Sequence, residues 1–175
     1  HPGLMDLHYH VNYHLVGKMV AEVDFSGTDP GPWAAQQYTA MINTLGDEEE
    51  YASAMLCGLD MLTSGVTLVM DPGSTFEPDT LAQASEALGF RVSLADPWIM
   101  DTKGPQITDV KRASIEHEAA LAGLGGQLWR NQDPNSRVRA HISVYGMGND
   151  SDELRLAAKK VADEAGVAFN MHQSQ

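Results

Sequence analysis

Two histidines separated by one residue, His8 and His10, have the type and spacing to hold a metal ion. In an extended strand the side chains alternate between two faces, so His8 and His10 would share one face with Leu4 and Asp6. Two imidazoles on one face can converge on a single cation, an arrangement from which a solvated surface strand would gain nothing. A lone His-x-His motif is weak evidence, and two partly exposed strand histidines are the alternative interpretation.

The elements that must position these histidines alternate regularly along the chain. The predicted strands are 3–10, 66–70, 90–95, 138–145 and 167–172, and the predicted helices are 33–44, 47–63, 78–88, 108–129 and a segment from Asp150 to near Gly166. Residues 11–33 are rich in Gly and Pro and are predicted to be mostly loop. Strands alternating with helices indicate a parallel α/β fold, and periodicity alone leaves an open doubly wound sheet and a barrel as alternatives.

The segment Pro2–His10 has the sequence Pro-Gly-Leu-Met-Asp-Leu-His-Tyr-His. It resembles the opening of amidohydrolase superfamily barrels, Pro-Gly-apolar-apolar-Asp-x-His-x-His. The similarity continues at Ser64–Thr67, at Leu88–Arg91 and from Asp152 to His172, and it looks like that of the branch containing cytosine deaminases and triazine hydrolases. The resemblance implies a (β/α)8 TIM barrel. Since about 250 residues complete such a barrel, we expect residues 1–175 to form a single incomplete metal-dependent hydrolase domain with about strands 1–5.

The resemblance also implies a metal site with His8, His10 and His172 as ligands. Binuclear members carry a carboxylated Lys on the fourth strand, and residues 138–145 contain no Lys, so we expect one divalent ion, zinc or alternatively iron. The family uses metal-activated hydroxide to attack a carbon that bears an amino, amide or halide leaving group. Its two further ligands, a sixth-strand His and an eighth-strand Asp, have no counterpart in these 175 residues.

Five further residues are predicted to support the site. Gln175 takes the place of the proton-shuttling Glu of the deaminase branch, and a Gln can hydrogen-bond a substrate but cannot shuttle a proton at neutral pH. Tyr145 aligns with a substrate-binding His after the fourth strand. His141, on that strand, is a second substrate-binding candidate, with a core histidine as the alternative. Asp6 and Asp71 are candidates for orienting ligand histidines, although Asp71 could equally cap a turn.

The composition limits the kinds of partner. The chain has 24 acidic and 11 basic residues and a net charge of −13, which argues against nucleic acid because phosphate contacts need clustered Lys and Arg. No apolar run approaches membrane-spanning length, and no signal peptide is evident. The single cysteine, Cys57, fits a reducing compartment, so we expect a cytoplasmic protein. The chain begins at His1 rather than Met, so we expect its natural N-terminus to lie upstream.

Two functions follow from these expectations. The first is a metal-dependent hydrolase that acts on a C–N bond (in an amide, an amidine or an amino group) or on a C–halogen bond of a small-molecule substrate. The alternative is a non-catalytic metal- or ligand-binding protein, which Gln175 and the two ligands without counterparts favour for these 175 residues. We expect residues 1–175 by themselves to be inactive, whereas the order of the motifs favours a hydrolase for the parent protein. An unrelated open-sheet binding protein requires the match at Pro2–His10 to be a coincidence. We also expect self-association into a homo-oligomer if the fifth strand lies at an open edge.

Overall fold

The computed structural model of the protein describes residues 2–20, 26, 29, 36, 37, 39–104 and 110–173. The strands are β1 (Leu4–Asp6), β2 (Val66–Met70), β3 (Arg91–Leu94), β4 (Val138–Ala140), β5 (Ile142–Gly146) and β6 (Phe169–His172). The α-helices are α1 (His14–Val20), α2 (Asp47–Thr63), α3 (Pro78–Leu88), α4 (His117–Gly123) and α5 (Asp152–Ala165), and short 3-10 helices lie at Val11–Tyr13 and Leu128–Gln132. The helix predicted over 33–44 falls partly outside the described residues, of which 36, 37 and 39–42 are helical.

Every strand pairing is parallel, and strands that are neighbours in the sheet follow one another in sequence, in the order β1-β2-β3-β4 and then β5-β6. The fourth predicted strand is broken in two at His141, whose backbone N–H donates to the carbonyl of Leu94 over 3.0 Å. β4 pairs with β3 and β5 pairs with β6, so together they act as one bent strand. Parallel strands in sequence order are the arrangement of a partial (β/α)8 barrel, and this part of the prediction is confirmed.

Two apolar clusters lie between the strands and the helices and fix their positions. One contains Val69 of β2, Val92 of β3 and Leu81 of α3, and the other contains Ile142 of β5 and Leu154 of α5. Full burial of a Val, Leu or Ile side chain contributes about 1.5–3 kcal/mol. The strand ends that carry the functional residues therefore project from a packed sheet.

The ends of two helices follow the predicted glycines, but one start differs. Gly89 (φ 81°) and Gly166 (φ 65°) end α3 and α5 in the left-handed region. The start of α5 is capped by Ser151, whose hydroxyl accepts from the N–H of Leu154 at 3.1 Å. The spacing of Asp150 and Glu153 in the sequence predicts Asp150 as the cap, but that carboxylate accepts from the N–H of Gly146 at 2.6 Å instead.

Three further expectations differ from the structure. The helix predicted over 108–129 is limited in the described residues to α4 and the 3-10 helix at Leu128–Gln132, since Gly125 (φ 85°) turns the chain between them. Residues 11–20, predicted as loop, form the first 3-10 helix and α1. Glu50, which belongs to an acidic run at 48–50 that is typical of a solvated helix start, is instead buried and accepts from the N–H groups of Phe76 and Glu77, each at 2.9 Å. In the part of the chain that is described, no helix is both long and apolar enough to cross a membrane.

Candidate metal centre

His8, His10 and His172 come together where β1 and β6 end. Nε2 of His172 lies 2.9 Å from Nε2 of His8 and 2.8 Å from Nε2 of His10. Each of the three residues offers one ligand atom within 4.8 Å of the others, and each is half-buried. The structure therefore brings together the three residues that the sequence predicts as ligands, one pair from the start of the chain and one residue from its end.

The segment that carries His8 and His10 is held by backbone contacts rather than by a regular strand. β1 ends at Asp6 instead of at His10, because the Asp6 carboxylate accepts from the backbone N–H of His8 at 3.1 Å. The N–H of Tyr9 still donates to the carbonyl of Met70 at 2.9 Å, which keeps the segment alongside β2. Asp6 thus holds the main chain, and the expectation that it orients an imidazole ring is corrected.

Asp71, directly after β2, caps a turn. Its carboxylate, 1% exposed, accepts from the N–H groups of Gly73 (2.8 Å) and Ser74 (2.7 Å) and from the hydroxyl of Ser74 (2.7 Å). Burial raises the pKa of this carboxyl, and these donors oppose the rise. The Asp71 carboxylate also accepts from the N–H of Val11 at 3.0 Å, and this contact fixes the backbone just after His10. The contacts match the turn-capping alternative, with no histidine ring among them.

Asn170, two residues before His172, orients the ring of His8. Its Nδ2 donates to the carbonyl of Leu7 at 2.9 Å, and this contact fixes which end of the amide faces the ring. Oδ1 therefore faces Nδ1 of His8 at 2.8 Å, and because an amide oxygen only accepts, Nδ1 must carry the hydrogen. Side chains alternate along the strand, so Asn170 lies on the same face as His172. This alternation is the sequence signal for its role, although the sequence does not show that role by itself.

The ring of His172 is oriented by a backbone group. Its Nδ1 lies 2.5 Å from the carbonyl oxygen of Tyr145, so this nitrogen is also the donor. Burial lowers the pKa of His172, the hydrogen bond to Tyr145 opposes this, and the charge of His8 lowers it further. Burial, with the charges of His172 and His8, lowers the pKa of His10 to about 3. His10 and His172 are therefore neutral near pH 7, as metal ligands must be.

A small aromatic-walled cavity adjoins the histidines. It has a volume of about 10 Å³, and His10, His172, Tyr145 and Trp98 are among its lining residues. A volume of about 10–15 Å³ holds one water molecule. The Tyr145 ring lies 5.1 Å from that of His172, between ring centres, and stacks on Trp98 at 5.7 Å. Burial and the negative charge of Asp150 raise the pKa of Tyr145 to about 12, so its hydroxyl stays protonated.

Of the two remaining candidates, the structure describes His141, which does not join the cluster. His141, 2% exposed, has Nδ1 3.0 Å from the hydroxyl of Ser93, and it is not among the residues that line the small cavity. Burial, with the charge of His8, lowers the pKa of His141 to about 4. This position favours the alternative interpretation, a core histidine, over a substrate contact. Gln175 lies outside the described residues.

The sequence of the chain is similar to those of known proteins. Residues 1–174 match the model of the amidohydrolase family. A 5-methylthioadenosine/S-adenosylhomocysteine deaminase of Desulforudis audaxviator (strain MP104C) is 32% identical over 93 residues, which are 53% of this chain and 20% of that protein.

Solved structures share the fold. A triazine hydrolase variant superposes with a TM-score of 0.77 at 20% identity, covering 99% of this chain and 41% of that one. Guanine deaminase from C. acetobutylicum with bound guanine gives 0.73 at 16% identity, covering 98% and 39%. An adenosine deaminase from Xanthomonas campestris with bound zinc gives 0.68 at 18% identity, covering 98% and 36%. The chain therefore spans well under half the length of these relatives.

Proposed function

The chain belongs to the amidohydrolase family, and on that premise we propose that His8, His10 and His172 hold one divalent metal ion, zinc or alternatively iron. The proposed reaction is the hydrolysis of a C–N or C–halogen bond in a small-molecule substrate. Deaminases and a triazine hydrolase among its relatives support this class of reaction, and the zinc in the Xanthomonas campestris structure supports the metal. The observation that carries the proposal is the convergence of three Nε2 atoms.

The hydrogen positions explain why these nitrogens suit a cation. In the metal-binding form each imidazole is neutral and carries one N–H, and the acceptors at Nδ1 of His8 and of His172 hold it there, so Nε2 of each offers a lone pair. These lone pairs face each other across 2.9 Å with no hydrogen between them. A hydrogen on Nε2 of His10 relieves only the second contact, at 2.8 Å. A cation that accepts imidazole nitrogens relieves both, so the donor set fits zinc.

The spacing of the nitrogens fits as well. Two nitrogens on a tetrahedral zinc, each about 2.0–2.1 Å from the ion, stand about 3.4 Å apart. The two Nε2 pairs of the structure, at 2.9 and 2.8 Å, need to separate by about 0.5 Å to match that geometry. Nδ1 of His10 is buried and has no hydrogen-bond partner within the described residues, so no hydrogen bond at that nitrogen opposes a small adjustment of the ring.

The chain's own residues bind and orient in this scheme. When bound, zinc supplies a water that deprotonates near pH 7. Asn170 and the carbonyl of Tyr145 hold the rings of His8 and His172 in place. The protonated hydroxyl of Tyr145 donates to a substrate heteroatom, and the rings of Tyr145 and Trp98 limit the space beside His172 to about one water molecule.

The identity of residue 175 narrows the reaction. Gln175 offers an amide where the deaminase branch has a carboxylate, and an amide does not carry a proton at neutral pH. We therefore favour hydrolysis of an amide or a C–halogen bond over deamination of a base or nucleoside. A halide leaves without needing a proton, so C–halogen hydrolysis is the reaction that Gln175 impairs least.

The test measures hydrolysis and its dependence on metal. The zinc-supplemented full-length protein is assayed with an amide, an aminopyrimidine and a chlorotriazine, then again after chelation and re-addition of zinc. We expect activity that chelation removes and zinc restores, absent in His10→Ala and His172→Ala but present in His117→Gln, a matched change in a histidine of α4 away from the cluster. Activity that survives chelation, or survives in either cluster variant, would contradict the proposal.

A further inference from the structure

A second, larger cavity shares two wall residues with the small cavity at the histidines. Its volume is about 490 Å³, and Trp98 and Ile99 line both spaces. Ligand pockets of proteins range over about 300–1,000 Å³. The small cavity has room for about one water molecule, so the bulk of any substrate that reaches the histidines must lie elsewhere. The larger cavity is the adjoining space of the required size.

Trp98 is held rigidly between the two cavities. Its φ of 49° lies in the left-handed region, where a bulky residue is rare and its backbone is strained. Its backbone N–H donates to the carbonyl of Gly73 and its indole N–H to the carbonyl of Ser74, both at 2.9 Å. Gly73 and Ser74 also line the small cavity. A strained residue fixed at both its backbone and its ring is suited to act as a wall.

The aromatic stack around Trp98 determines what that wall offers to a ligand. The indole stacks on Tyr145 (5.7 Å between ring centres, 18° between planes) and on Phe76 (5.2 Å, 12°). These rings pack against the indole faces and its N–H is engaged, so its edge is the part of the ring left to meet a ligand. Aromatic edges carry positive partial charge and prefer the face of another π system.

The charged residues that line the large cavity are already paired. The Arg112 guanidinium donates to the carbonyl of Leu45 at 2.9 Å and to the carboxylate of Asp47 at 3.2 Å, and it lies 4.5 Å from the centre of the Phe76 ring. The buried carboxylate of Asp96 accepts from the N–H of Gly125 at 2.8 Å. The remaining lining residues are mostly small or apolar, so the cavity is suited to a ligand without net charge.

From these observations we propose that the large cavity binds a neutral aromatic or heteroaromatic ring, with one face of that ring against the edge of Trp98. The ring would be the part of the substrate that lies away from the reacting bond. Trp98 and Ile99 would then set the distance between this ring and the histidines. The link to catalysis rests on the proposed hydrolase function, whereas the binding of the ring does not require the metal.

The test therefore measures ring binding without metal. The full chain in excess chelator is titrated with benzamide and with cyclohexanecarboxamide, its saturated counterpart, by ligand-observed NMR. Benzoate is the charged control. Two variants fill the cavity, Ala119→Leu and Ala113→Leu, and Ala52→Leu is the matched change on the exposed side of α2. Thermal melting verifies that each variant is folded, and two filling variants guard against the misfolding of one.

We expect benzamide to bind several-fold more tightly than cyclohexanecarboxamide or benzoate. Each filling variant should weaken benzamide binding about ten-fold, equivalent to about 1.4 kcal/mol, and Ala52→Leu should leave it unchanged. Equal benzamide affinity in the parent and in a folded filling variant would overturn the proposal, as would a preference for benzoate. The zinc content of the same proteins, measured after supplementation, tests the metal centre separately. A protein that binds no zinc would contradict the hydrolase proposal, whereas the benzamide result would still stand.

Discussion

Replacing Asn170 by Leu tests whether the amide controls the metal centre through the ring of His8. The substitution removes the acceptor for Nδ1 of His8, at 2.8 Å, and the donor to the carbonyl of Leu7, at 2.9 Å, while keeping the number and branching of side-chain heavy atoms. Without the acceptor, the hydrogen of His8 is free to move to Nε2, the atom that faces His172. Loss of such an outer hydrogen bond typically weakens metal affinity about 10–100-fold, and we expect zinc affinity to fall within that range.

The comparison that isolates this effect is Asn170→Asp. A carboxylate keeps an acceptor for Nδ1 of His8 but removes the donor to the carbonyl of Leu7, so its zinc affinity should stay at or above that of the parent. Affinity is measured by competition with a fluorescent chelator, and nitrogen NMR of the metal-free chain reports which ring nitrogen of His8 carries the hydrogen. Equal zinc affinity in the parent and in Asn170→Leu would refute the reasoning, as would a parent in which Nε2 of His8 carries the hydrogen.

Two predictions concern stability elsewhere in the fold. The hydrogen bond from His117 to Asp101, with an Nδ1–Oδ2 distance of 2.6 Å, raises the pKa of His117, so its stabilising contribution is present below the ordinary histidine pKa and is lost as the pH rises through the raised value. His117→Gln should therefore lower the melting temperature more at pH 5.5 than at pH 9, and an equal decrease at both would show that the pair is not coupled to protonation. Glu50→Ala leaves the N–H groups of Phe76 and Glu77 without their acceptor and should lower the free energy of unfolding by about 2–4 kcal/mol. In urea unfolding, the exposed Glu48→Ala should change it by less than about 0.5 kcal/mol, and similar losses in the two variants would contradict this account of Glu50.

The shared face of His8 and His10 could be predicted from local sequence, and the resemblance to amidohydrolase barrels implied their meeting with His172. The alternation of side chains along an extended segment places His8 and His10 on one side, and the apolar segment before His172 ends where active-site residues of parallel barrels lie. The lengths of α2, β2 and α3 followed for the same reason, because their periodicity, the acidic start of α2 and the glycine after α3 are local signals. Such features need no knowledge of distant contacts.

The features that the sequence did not predict depend on contacts between distant segments. Asn170 orients His8 across 162 positions of sequence, and no local pattern announces that approach of β6 to the segment after β1. Asp6 was assigned to a ring rather than to the backbone, since its residue type is equally suited to both contacts. The left-handed conformation of Trp98 follows from its bonds to the turn after β2, and the burial of Glu50 follows from the backbone groups before α3.

The most direct test of the metal centre is the number of zinc ions bound by the full chain and by His172→Ala. Each protein is supplemented with zinc and freed of excess metal by gel filtration, and its zinc content is then measured by elemental analysis. Melting temperatures confirm that both proteins are folded. We predict about one zinc per parent chain, as three ligands around one ion require, and much less than one in His172→Ala. Two equivalents in the parent would contradict a single centre, and equal zinc content in the two folded proteins would show that the histidine cluster does not hold the metal.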